Sequence, residues 1–138
     1  MIVIPRLLTE VLRTATEPHA KRLVVAFAGH VVPETGPPAD LLRALTGFLD
    51  GGPVAELVEA RREFFARQDE CGDEWQVAHL ALRVVGQREL EAHGAVHRYR
   101  FQPDVVDVAK EAQRLAGTGW EESRWQLVQA IATAPAPT

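Results

Sequence analysis

Apolar side chains recur three and four residues apart in four separate stretches of this chain, and only one short piece, residues 96–101, alternates in twos. Leu41, Leu42, Leu45, Phe48 and Leu49 share one helical face, as do Val54, Leu57, Val58, Phe64 and Phe65. Val105, Val108, Ala109, Ala112 and Leu115 form a third stripe; Trp120, Leu127, Val128 and Ile131 form a fourth, with Trp125 at its border. Each pattern predicts an amphipathic helix with that face buried. The punctuation agrees. Pro18, Pro38, Pro53 and Pro103 open helix-like runs, as Pro5 does less clearly, where a missing N–H costs nothing. The Gly51-Gly52 pair, Gly94 and Gly117 fall where helices would end. Thr118 and Glu121 have the spacing of a capping box, and Asp73 has a looser version with Gln76.

Two segments depart from simple amphipathicity. Trp75 to Val85 is apolar nearly all round, which places a helix near residues 74–91 at the centre of a bundle, touched on several sides. Leu23 to Val32 is also almost continuously apolar, and periodicity alone does not separate a buried helix from a strand there. Helix is favoured because a strand needs neighbours. The expected fold is therefore all-α: about six or seven helices in one domain over residues 1–132, with a disordered tail at 133–138. The alternative is an α+β fold with a small sheet from 23–32 and 96–101.

The 138 residues carry 15 basic and 19 acidic side chains, for a formal net charge of −4. That balance makes nucleic acid an unlikely partner, since such binding needs a concentrated basic face. No run approaches the roughly 18 apolar residues of a membrane span, and no signal peptide is visible, so a soluble, cytoplasmic protein without membrane contact is expected. Thirteen of the basic residues are arginine and asparagine is absent, a bias read as codon usage rather than chemistry.

A search for reaction chemistry turns up little. Ser123, the only serine, lacks a nucleophile-elbow context and reads as a surface helix position. Cys71 sits among Asp69, Glu70, Asp73 and Glu74, four carboxylates that disfavour its thiolate. No histidine follows a carboxylate by three residues, His-Glu-x-x-His is missing, and His93 and His97 are interrupted by Gly94. The glycine-rich phosphate cradles are missing as well. The sequence therefore implies no catalytic residue, no metal site and no cofactor. His79 is the most informative histidine, because it lies in the most apolar helix, where burial lowers its pKa. His30 shares that reading less strongly.

Charge distribution is what remains. Asp69, Glu70, Asp73 and Glu74 form an acidic joint between two helices, with Asp73 placed to cap the second. Arg83, Arg88, Arg98 and Arg100 interleave with Tyr99 and Phe101, too sparsely for a nucleic-acid stripe.

One resemblance adds to this. Ala26-Phe27-Ala28-Gly29-His30-Val31-Val32-Pro33 leads through a Gly-Pro joint to Pro38-Ala39-Asp40-Leu41-Leu42-Arg43-Ala44-Leu45 and Leu49-Asp50-Gly51-Gly52, followed by two Ala-rich helices. Over residues 26–85 this succession resembles the all-helical immunity proteins found beside bacterial polymorphic toxins. The resemblance implies a helical fold and neutralisation of a cognate toxin, and it carries over no individual site residue.

Two functional readings follow. The first is a non-catalytic protein-binding module, an immunity-type protein as one form, whose Asp69, Glu70, Asp73 and Glu74 meet a basic protein partner. The second is a small helical enzyme or ligand-binding protein of bacterial specialised metabolism, with a pocket built by Trp75, His79 and Arg83. The sequence leaves the oligomeric state open.

Overall fold

The computed structural model describes residues 3–94 and 99–135, and their regular structure is helical throughout. The elements are α1 (Val3–Thr14), α2 (Glu17–Val31), α3 (Pro37–Leu49), α4 (Val54–Ala66), α5 (Glu74–Ala92), α6 (Val105–Ala116) and α7 (Gly119–Ala132). A single 3₁₀ turn, Gln68–Glu70, joins α4 to α5. The small-sheet alternative does not hold. Most of residues 23–32 belongs to α2, residues 96–98 lie outside the described residues, and residues 99–101 form no strand. A helix satisfies its backbone groups internally, whereas a lone strand here would have no edge to pair with.

The nearly all-apolar segment becomes α5, which touches α2, α3, α4 and α6 and buries Val77, Ala78, Ala81, Leu82, Val85 and Leu90. Gly86 lies where α5 meets α4: a Cβ there would fall 2.7 Å from Leu57 Cδ2, so the missing side chain sets how closely the two helices approach. One apolar cluster runs through all seven helices, with Leu8 and Leu12 from α1, Phe27 from α2, Leu45 from α3, Phe64 from α4 and Ala130 from α7 among its members. Among the described residues, no helix is long and apolar enough to cross a membrane.

The helix boundaries follow local chemistry, though not always the chemistry expected. Pro18 sits in the first turn of α2, and Pro37 and Pro38 open α3. Gly117 closes α6 at φ +73°, a left-handed turn that costs a glycine little. The expected capping box at Thr118 is not formed. Its backbone, at ψ 63°, departs from the extended setting that aims a cap hydroxyl at the helix, and only its carbonyl engages the first turn, accepting from Glu122 N–H. Asp73 likewise makes no side-chain cap, because its own backbone is already helical (φ −60°, ψ −25°). A true capping box occurs at α6, where Asp104 Oδ1 accepts from Val106 and Asp107 N–H and Asp107 Oδ2 accepts from Asp104 N–H.

Candidate functional site

The four acidic residues of the α4–α5 joint share one exposed connection but not one role. Glu70 pairs with Arg67 through two hydrogen bonds of 3.0 Å, and Arg67 also lies 3.5 Å from Asp40 of α3. Arg67, by hydrogen bond and charge, holds the Glu70 carboxyl below its ordinary pKa. Glu74 Oε1 accepts from Gly72 N–H at 2.8 Å, closing the turn ahead of α5. That leaves Asp69 and Asp73 with no ion-pair partner among the described residues. Cys71, between them, donates its S–H to the Arg67 carbonyl, and burial followed by the charges of Glu74 and Glu70 pushes its thiol pKa up. Its thiolate is disfavoured, as its neighbours in the sequence suggest.

Trp75, His79 and Arg83 come together, as their spacing on one helical face requires. They join an aromatic cluster. Trp75 lies parallel to Phe64 with ring centroids 5.1 Å apart, and the Phe65 ring stands edge-on to Trp75 and His79 at 5.4 and 5.3 Å. His79 leans on Trp75 at 4.7 Å, while Tyr99 approaches it edge-on at 6.1 Å. Arg83 caps this group, its guanidinium 4.1 Å from the Tyr99 centroid and bonded to the Phe101 carbonyl. Burial first, then the charges of Arg83 and Arg61, lower the His79 pKa to about 4. The imidazole is therefore neutral near pH 7 and behaves as one more ring in the stack.

The largest departure from expectation lies in α7. The stripe of Trp120, Val128 and Ile131 faces outward, with exposures of 61%, 54% and 60%, and Leu127 is only partly covered. The buried face is instead Glu122, Ser123, Gln126 and Ala130. Each polar member is bonded. Gln126, with no exposed surface, accepts from Gln113 Nε2 at 2.9 Å and donates to the Ala109 carbonyl at 3.0 Å, both on α6. Ser123, expected at the surface, is fully buried and donates to the Trp120 carbonyl. The Glu122 carboxylate meets Nδ1 of His30, the last-turn histidine of α2, at 2.8–2.9 Å. The His30 ring also stacks on Trp125, 3.6 Å between centroids and 6° from parallel. The bonds of Gln126 and Glu122 to other helices explain the rotation of α7: turned the other way, the helix would expose Trp120 less but would break them.

On its outer side, Trp120, Glu121, Arg124, Trp125 and Val128 line an open groove of about 370 Å³. A second hollow of about 260 Å³ lies where the end of α7 meets α1 and the start of α2. There the Thr133 hydroxyl bonds both the Gln129 carbonyl and His19 Nε2, so residues 133–135, the described part of the expected tail, rest against the bundle. Two further hollows, between α3 and α4 and between α2 and α3, hold about 220 and 250 Å³. None of these four is lined by His79. Among the described residues, no three His, Cys, Asp or Glu side chains are grouped to hold a metal ion.

Sequence reading thus missed the His30–Glu122–Trp125 group and the Gln113–Gln126 pair. Ninety-two residues separate His30 from Glu122, and no linear spacing announces such a contact. The apolar stripe of α7 was visible in the sequence, and only the side it faces was not. Comparison with protein-family models, with curated proteins and with solved structures finds no match for the chain.

Proposed function

We propose that the chain is a protein-binding module that works by contact, and that the outer face of α7 is its docking surface. The observation that carries this reading is the inverted setting of α7: tryptophan, valine and isoleucine outside, hydrogen-bonded glutamate, serine and glutamine inside. Exposed apolar side chains gathered along one helix around an arginine suit an interaction site. This composition, an exposed tryptophan beside an arginine, is the kind that dominates binding energy at interfaces.

Within this reading, neutralisation of a cognate toxin is the form suggested by the resemblance over residues 26–85. The acidic joint favours a basic partner, with Asp69 and Asp73 the carboxylates in no ion pair among the described residues, Asp73 within electrostatic reach of Arg114. The ligand-pocket reading around Trp75, His79 and Arg83 draws less support, because the rings of Phe65, Trp75 and Tyr99 pack around His79.

A photoreactive amino acid placed at Val128, in cells of the native source, tests the docking surface. The expected result is a light-dependent adduct to a polypeptide chain from position 128 and none from the exposed Lys110 of α6. A folded variant with no adduct at 128 overturns the reading.

A further inference from the structure

We infer that the occupant of the α7 face is a second copy of this chain, packed antiparallel about a two-fold axis near Arg124. This rests on the docking reading above and specifies its partner. A two-fold interface requires a self-complementary patch, and the stripe has that form. Trp120 and Val128 lie four residues to either side of Arg124, roughly 6 Å along the helix in each direction. With Arg124 on the axis, each Trp120 is seated on the Val128 of the other copy.

The charges fit the same arrangement. Glu121 and Arg124 are both exposed, and neither has an ion-pair partner among the described residues. In the antiparallel pair the Arg124 of one copy reaches the Glu121 of the other, one turn from the axis, and the contact is made twice. Without those pairs, two chains that each carry a net charge of −4 would bring two arginines together at the axis uncompensated.

The patch is small. A single exposed tryptophan and two aliphatic side chains fall well short of the roughly 800 Å² per partner of a standard interface, so the dimer is concentration-dependent and belongs in the micromolar range.

Sedimentation velocity of the full chain at low salt, from about 5 to 200 μM, reads the association. Glu121→Arg places four cations at the axis and Arg124→Glu four anions, and each variant alone is expected to sediment as a monomer, with self-affinity at least tenfold weaker. An equimolar mixture of the two restores opposite charges across the axis and is expected to form a mixed dimer, verified by native mass spectrometry. Both positions are exposed, and unchanged helical circular dichroism shows that the variants fold. A wild-type chain that stays monomeric at 200 μM, or a mixture of folded variants that does not associate, overturns the self-pairing. An adduct from position 128 to a different protein, with the wild type monomeric, overturns the self-pairing alone and leaves the docking surface in place.

Discussion

Gln126 is the residue on which the orientation of α7 turns, and two substitutions separate what it contributes. Replacing it with alanine removes both of its hydrogen bonds, to Gln113 and to the Ala109 carbonyl, and leaves a void in a position with no exposed surface. Each bond contributes about 1 kcal/mol net, and the unfilled volume of a buried side chain adds roughly 1–2 kcal/mol. Gln126→Ala is expected to cost about 3–4 kcal/mol. Gln126→Leu loses the same two bonds but keeps most of the volume. The groups it abandons are also easily satisfied. The Ala109 carbonyl keeps its acceptor role inside α6, and the Gln113 amide is only half-buried and turns to water. Its cost is therefore expected near the two bonds alone, about 2 kcal/mol. Urea unfolding followed by tryptophan fluorescence measures both, since Trp120 and Trp125 flank the site on α7. A leucine variant as damaging as the alanine one would refute this division, because filling the volume would then have recovered nothing.

Two further outcomes concern His79 and His30. With a folded pKa of about 4 for His79 against an ordinary 6.5, the unfolded chain takes up a proton below pH 6.5 that the folded chain refuses until about pH 4, so stability falls as pH drops across that window. The full shift corresponds to about 3 kcal/mol, which the partial exposure of the ring reduces to about 1–2 kcal/mol. His79→Phe should flatten that part of the profile in urea melts between pH 4 and 7, and an unchanged slope would contradict the burial assigned to the ring. His30→Ala strands the buried Glu122 carboxylate, whose side chain is 6% exposed, and is expected to cost about 1–3 kcal/mol in thermal unfolding. A companion Glu122→Ala change on that background should recover part of the loss.

The sequence and the structure agree where one physical force acts alone. The α5 helix was legible because an all-round apolar segment has one stable home, the middle of the bundle. The stripes of α3 and α6 were legible because Leu41, Leu45, Val108 and Ala112 have nowhere to go but inward. For α7 two forces compete. Hydrophobicity argues for burying Trp120 and Ile131, whereas the pairing of Gln126 with Gln113 and of Glu122 with His30 holds the opposite face inward. Those partners lie on α6 and α2, so the decision depends on tertiary neighbours that helical periodicity does not encode. The two failed caps, at Thr118 and Asp73, have a more local cause. Sequence spacing matched the motif, but the backbone angles that would aim the side chain were set by the turns before them. Trp75, His79 and Arg83 fall on one face of α5, and a shared helix face is a local property that the sequence spells out. That the group would be filled by Phe64, Phe65 and Tyr99 is a long-range one.

The first helix of the bundle lies chiefly against the last. During synthesis α1 leaves the ribosome ahead of α7 with Leu8 and Leu12 uncovered, and its main partner emerges only after more than a hundred further residues have been added. Closure of this molecule is consequently a late event, and loop-closure entropy makes the α1–α7 contact among the slowest to be reached. Nascent chains arrested before α7 should leave α1 open to chaperones and proteases while α2 to α6 have already begun to pack, so the exposure of α1 lasts until α7 has emerged.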